Sequence, residues 1–307
     1  MKKRVLAAVF ASSMILGFYG CGANNITTES KATESKATES EATEPEATES
    51  ETTESETTEP EATEPETTGT ETINQVSLLQ GLTFGDYHGS ITVKELKGLG
   101  DIGIGTFDRL NGELIMLEGE VYRAAGDGTV EVVRDSETIP FSNVTFFDTD
   151  QSETLPEIKD VSELKRMLDE TVDTMGSNKF YMVRIDGTFD EMHVRSEYAQ
   201  EEPYKPLATV LETDQTFYDY EDIKGTVVGL YCPSYMDRLN AVGWHFHFIS
   251  DDRKAGGHVL DLRFNEAEVK WDETAGFNME LPDDEMFNGF DLTVDQSDDI
   301  KKVETGD

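Results

Sequence analysis

The stretch "GWHFHFISDDRKAGGHVLD" (residues 243–261) holds three of the five histidines in a chain of 307 residues. Alternate residues of a β-strand share a face. A strand here puts His245 and His247 on one side and turns Trp244, Phe246 and Phe248 toward a core. "SDDRKAGG" (250–257) has the composition of a turn, so "HVLDLRF" (258–264) should return antiparallel. A turn centred between Asp252 and Arg253 pairs position 258 with position 247, and opposed Cβ atoms then stand roughly 5 Å apart. Three imidazoles converge on one point. That is the protein-ligand count of a catalytic zinc site, whose fourth position stays open to water or substrate. Imidazole also suits copper, iron and nickel. A lone strand histidine is usually a satisfied core or surface residue. Three on one face would leave buried nitrogens short of partners unless a metal joins them.

Outward from this segment the pattern is strand-rich. "ELIMLEGEVYRA" (113–124) has a central Glu-Gly turn between two alternating runs, which predicts a hairpin. "KFYMVRIDGTFDEMHVRS" (179–196) predicts a second hairpin around Asp186-Gly187. Two helices are predicted from capping boxes, at Thr92 with Glu95 and at Asp160 with Glu163, the second ending at Gly176. Strands come in runs with few helices between them. The fold class is therefore α+β, as two β-rich subdomains with mixed and antiparallel sheets, the metal site lying on an antiparallel hairpin of the C-terminal half. We expect halves at 74–195 and 196–307. The Gly-x-Gly of "GDIGIGTF" precedes no clear helix and lacks the dinucleotide fingerprint.

The first quarter is of another kind. Met1 to Arg4 carries three positive charges, and Val5 to Gly20 is mostly apolar, the form of a secretory signal. Gly20-Cys21 resembles the end of a bacterial lipoprotein signal (residues 1–21), whose cysteine is lipidated, although Phe18 stands where leucine is usual. Residues 22–73 read as a stalk. From Thr28 to Thr67 a five-residue Thr/Glu unit repeats eight times, with no aromatic residue and no aliphatic residue larger than alanine. Such a segment cannot bury enough surface to offset its ordering entropy. A flexible coil of that length spans roughly 40 Å, and its like charges stretch it further. Anchor and stalk predict an extracytoplasmic protein that touches the membrane only through Cys21.

The repeats supply −12 of the formal charge of −39, from fourteen glutamates and two lysines, so the rest of the chain is strongly acidic as well. Nucleic acid is excluded as a partner by the lack of a basic patch. Only two cysteines occur, and Cys232 has no evident mate, so no disulfide scaffold is expected.

His-x-His also occurs in cupins, but that pattern wants a glutamate soon after the pair, where this chain has Ser250-Asp251-Asp252. Its remaining ligand comes from a distant motif, not from a hairpin partner. The sequence instead resembles bacterial alpha-acetolactate decarboxylase over nearly its whole globular part. "GDIGIGTFDRLNGELIMLEGEVYR", "FYMVRIDGTFDEMHVRS" and "YCPSYMDRLNAVGWHFHFISDDRKAGGHVLD" are similar to that family's N-terminal, middle and metal blocks.

The resemblance implies decarboxylation of (S)-2-acetolactate to (R)-acetoin, as part of acetoin and butanediol metabolism, with Zn2+ as cofactor. It implies His245, His247 and His258 as metal ligands. It further implies Arg195 in the middle block, Glu113 in the Asn-Gly-Glu-Leu motif, and a last glutamate matched by Glu304 in "KKVETGD". The family has no histidine at the position of His193. In this chemistry zinc acts as a Lewis acid on the hydroxyl and ketone oxygens and stabilises the enediolate left by CO2. Arg195 pairs with the substrate carboxylate. Two other functions fit the histidines: a zinc hydrolase with a glutamate base, and a non-catalytic surface protein braced by metal. The oligomeric state stays open, a homodimer being one arrangement.

Overall fold

The computed structural model describes residues 71–305; the side chains of Asp298, Glu304 and Thr305 lie outside the described residues. The predicted signal segment and all but the end of the predicted stalk also lie outside them. The described residues belong to one compact unit. In order they form β1 (Thr72–Val76), α1 (Leu79–Phe84), β2 (Ile91–Thr92), α2 (Val93–Leu96), β3 (Ile102–Thr106), β4 (Glu113–Leu117), β5 (Glu120–Ala124), β6 (Val130–Val132), β7 (Thr138–Ile139) and β8 (Phe141–Thr145). There follow β9 (Gln151–Leu155), α3 (Val161–Met175), β10 (Phe180–Glu197), α4 (Leu207–Thr213), β11 (Gln215–Cys232), β12 (Gly243–Ser250), β13 (Gly256–Thr274), β14 (Gly276–Glu280), α5 (Glu285–Gly289) and α6 (Ser297–Thr305). The class is α+β, as the sequence pattern led us to expect.

Two sheets carry the fold. The first runs β14-β1-β8-β3-β4-β5-β6, with β1 and β14 parallel and the other neighbours antiparallel. The second runs β10-β11-β12-β13-β9, and β13 pairs with β10 as well, so four strands close into a ring. One face of that ring buries Phe189, Phe246, Phe248 and Trp271 with Leu164, Leu168 and Val172 of α3. The spacing of those α3 residues is one helical stripe. The other face sets Met182, Val228, Leu230 and Ile249 against Ile73, Ile104 and Ile115 of the first sheet. Burying each such side chain contributes about 1.5–3 kcal/mol. This inter-sheet face is where the histidines emerge.

The local signals fare unequally. Glu118 (φ 55°) and Gly119 (φ 76°) make the tight turn between β4 and β5, as a two-residue hairpin of this hand requires. At Thr92 the capping box is complete, but α2 is a single turn. At Asp160 only half of it forms: Asp160 accepts the Glu163 N–H, while the Glu163 carboxylate accepts from Lys159. The hairpin predicted at Asp186-Gly187 does not exist. β10 runs straight through as one strand of 18 residues, and neither residue has the positive φ that such a turn needs. Asp186 instead accepts from the Thr226 hydroxyl at 2.6 Å and from Arg184 Nε at 2.7 Å. Gly187 is small because Ala267 lies against it, where an added Cβ would meet the Ala267 Cβ at 2.9 Å.

The predicted halves also differ from the layers. The boundary at 195/196 falls inside β10, and β14 from the C-terminal half extends the first sheet. Thr72 and Ile73, inside the segment expected as stalk, already belong to β1, and Ile73 is a fully buried core residue. Gly103 and Gly105 lie in β3, where a Cβ would collide with the backbone of β8. They allow β3 and β8 to pack closely.

Candidate metal centre

The hairpin of β12 and β13 is built as its sequence pattern demands. Trp244, Phe246 and Phe248 turn into the ring core, with Trp244 stacked on Phe246 and Phe189 edge-on to Phe248. Ser250 fixes the turn: its hydroxyl accepts from the Lys254 and Ala255 N–H groups, and its own N–H donates to the Ala255 carbonyl. Arg253 takes the left-handed conformation there, with φ 57°. The register that results pairs His247 with His258. His245, His247 and His258 are buried on the inter-sheet face, and their nearest ring nitrogens all lie within 4.8 Å of one another.

The closest approaches are 3.0 Å between His245 Nε2 and His247 Nε2, and 3.1 Å between His245 Nε2 and His258 Nδ1. Metal–nitrogen bonds of about 2.0–2.1 Å in a tetrahedral site place ligand atoms roughly 3.3 Å apart, so the spacing fits. The tautomer of His247 is set by its second nitrogen. Nδ1 lies 2.8 Å from the Leu114 carbonyl, which can only accept, so Nδ1 carries the proton and Nε2 presents a lone pair. Burial pushes the pKa of His245 down to about 3, with the charges of Arg195 and Lys165 adding to the effect. His247 is held well below the ordinary range by burial first and then by His245. Both are neutral imidazoles at neutral pH, which is the form that binds metal. The donor set therefore suits zinc.

Other elements complete the pocket. Glu113 opens β4 of the first sheet, is buried, and places Oε2 3.3 Å from His247 Nε2. Arg195 reaches the site from β10, directly opposite His258. A β-bulge decides this. His193 pairs with Asp261, but the register shifts between His193 and Val194, so that Val194 faces Val259 and Arg195 faces His258. Without the shift Arg195 would oppose Val259, and a slip of one residue exchanges the faces of a strand. The cavity beside His245 and His258 is lined by the polar residues Glu113, Arg195, Glu197 and Thr106 and by apolar side chains that include Leu79, Leu82, Phe141, Leu207 and Val303.

Thus five of the six residues singled out in the sequence come together. Glu304 falls on the last turn of α6, and its side chain lies outside the described residues. Its neighbour Val303 lines the cavity. His193 stays away from the pocket, bonded to Asp219 at 2.6 Å and stacked on Phe217. The sequence reading missed Glu197. Its signal was available, since Arg195 and Glu197 are two apart on one strand and share a face.

This geometry agrees with the comparisons. A family profile described as alpha-acetolactate decarboxylase matches residues 73–294. The chain is 40% identical to the alpha-acetolactate decarboxylase of Methanosarcina mazei over 230 residues, covering 75% of this chain and 79% of that one. It is 39% identical to the Bacillus licheniformis enzyme of that name, covering 70% and 84%. The crystal structure of alpha-acetolactate decarboxylase from Bacillus subtilis superposes with a TM-score of 0.73 at 33% identity, over 76% of this chain and 99% of that one. An isolated three-histidine hairpin would not give agreement over that length. The chain belongs to the alpha-acetolactate decarboxylase family and is a carboxy-lyase.

Proposed function

We propose that the enzyme converts (S)-2-acetolactate to (R)-acetoin and CO2, in acetoin and butanediol metabolism, with zinc on His245, His247 and His258. One observation carries this reading: three buried imidazoles, two of them held neutral by burial, cluster beside a cavity whose facing strand supplies a buried arginine. A metal that only braced the fold would need no cavity against its ligands. When bound, zinc supplies Lewis acidity toward the hydroxyl and ketone oxygens of the substrate and takes up charge released as CO2 leaves. Arg195 binds the substrate carboxylate through its N–H groups and orients the bond to be broken. Glu113 is the carboxyl group placed to hold or move a proton beside His247. The leucines of α1 and α4, with Phe141 and Val303, cover the methyl groups and exclude water. Purified, zinc-loaded protein incubated with racemic acetolactate should consume one enantiomer and release acetoin, and a chelator should stop it. Absence of acetoin from metal-replete protein would refute the assignment.

We also propose, from residues 1–73 alone, that lipid on Cys21 and an acidic stalk hold the enzyme outside the cytoplasmic membrane. Cys21→Ser should release it from the membrane fraction; unchanged retention would refute the anchor.

A further inference from the structure

Glu197 is a second carboxylate of the pocket, and the chemistry above leaves it without a task. It ends β10 two residues after Arg195, so the two side chains share a face. Each is 3% exposed, and both line the cavity. Glu197 Oε1 lies 3.4 Å from Arg195 Nε. No hydrogen bond of normal geometry reaches that Nε, so the contact acts through charge and is not a directed bond. The pair comes from a single strand: Arg195 stands opposite His258 of β13, and Glu197 opposite Gln215 of β11.

A buried carboxylate is an odd neighbour for a site that admits an anion, because it repels the substrate. The bond-breaking step gives it a purpose. In bound acetolactate the negative charge sits on the two carboxylate oxygens. As the carbon–carbon bond breaks, its electron pair stays with the former α-carbon and spreads to the ketone oxygen. CO2 departs neutral, and the carbon is protonated afterwards. A cation gripping the carboxylate with full strength therefore stabilises the reactant more than the transition state, and raises the barrier.

We infer that Glu197 is a positioning residue that moderates and orients Arg195. It occupies the Nε side of the guanidinium, leaves the terminal N–H groups to the substrate, and offsets part of the charge that would otherwise trap the carboxylate. This rests on the acetolactate assignment and adds to it the control of ground-state binding.

The test compares zinc-loaded wild type, Glu197→Gln and Glu197→Asp for kcat, KM, zinc content and melting temperature. Glutamine keeps the volume and removes the charge. The expected result for Glu197→Gln is a fall in KM of about tenfold together with a fall in kcat of about tenfold or more, at unchanged zinc content. The inert anion 2-hydroxy-2-methylpropanoate should inhibit Glu197→Gln more tightly, by about the same factor as KM falls. Glu197→Asp keeps the charge and should hold KM within about twofold of wild type. A KM that rises or stays constant in Glu197→Gln overturns the inference. If Glu197→Gln does not fold, a KM lowered in Glu197→Asp as far as predicted for glutamine overturns it too. Wild type that makes no acetoin would instead refute the underlying assignment, so the two failures are distinguishable.

Discussion

Two ladders meet at the candidate metal centre, and they are specified differently. In β12–β13 the turn alone sets the register: Ser250 ties both arms together, and His247 falls opposite His258. In β10–β13 the partners are more than sixty residues apart, and three register shifts interrupt the pairing. The last of these shifts brings Arg195 across from His258. A short hairpin thus delivers the three candidate metal ligands with little dependence on the rest of the fold. The long ladder delivers Arg195, the cation proposed to bind substrate, only because the whole ring closes. Metal binding and substrate binding should therefore be separable by mutation.

The largest effect is expected on the hairpin side. His247→Ala removes a ligand whose second nitrogen is anchored on Leu114, and zinc content and acetoin formation should both be lost, the latter by about a thousandfold or more. Metal analysis beside the activity assay checks this, and full activity without bound zinc would break the metal-centred account. Next comes the ladder side. Arg195→Lys keeps a charge but loses the planar fork, and kcat/KM should drop by about a hundredfold with zinc retained. Loss of zinc in this variant would show that the two ladders are not separable.

A smaller effect tests the seam between them. Gly257 has φ 150° and precedes His258, and a Cβ there would stand 2.5 Å from the Arg195 carbonyl. Gly257→Ala should cost about 2 kcal/mol, or roughly 4–8 °C in Tm, and should reduce kcat/KM more than zinc content. The smallest effect belongs to the far end of the long ladder. Asp272, opposite Met182 and fully buried, has its pKa raised to about 8, by burial first and then by Asp148, Asp150 and Glu71. Unfolded, it ionises near the ordinary value of about 4. The folded state holds the extra proton between those values, so this group makes stability fall as pH rises toward about 8. The unfolded histidines are half charged near pH 6.5 and largely neutral above about pH 7.5, where they no longer mask the slope. Asp272→Asn should flatten the decline of Tm between about pH 6.5 and 8.5; equal slopes in both proteins would show that Asp272 does not titrate there.

What was legible in the sequence follows the same division. The alternation of histidine and aromatic residues, with a polar turn midway, placed all three imidazoles because every interaction involved is local. The hairpin at Glu118-Gly119 was legible for the same reason. Asp186-Gly187 carried an equally good turn signal and misled, because Ala267 and Thr226 give the two residues another reason to be there. Arg195 and Glu113 were reached through family resemblance, not through spacing. Glu197 could be reached only through Arg195, two residues away on the same strand, because one carboxylate among many in an acidic chain carries no mark of burial of its own.

By itself the sequence determined the α+β class, the histidine hairpin, the acidic Thr/Glu repeat of residues 28–67, and membership in the decarboxylase family. These rest on composition and on contacts between near neighbours in the chain, where periodicity is a physical constraint. Only the tertiary structure decided that the strand of Arg195 runs unbroken, that a bulge turns this arginine toward His258, and that Glu113 of one sheet meets His247 of the other. Those outcomes depend on strand register across the ring and on the packing of two sheets. Both are set by the sum of many distant contacts, which no local pattern encodes.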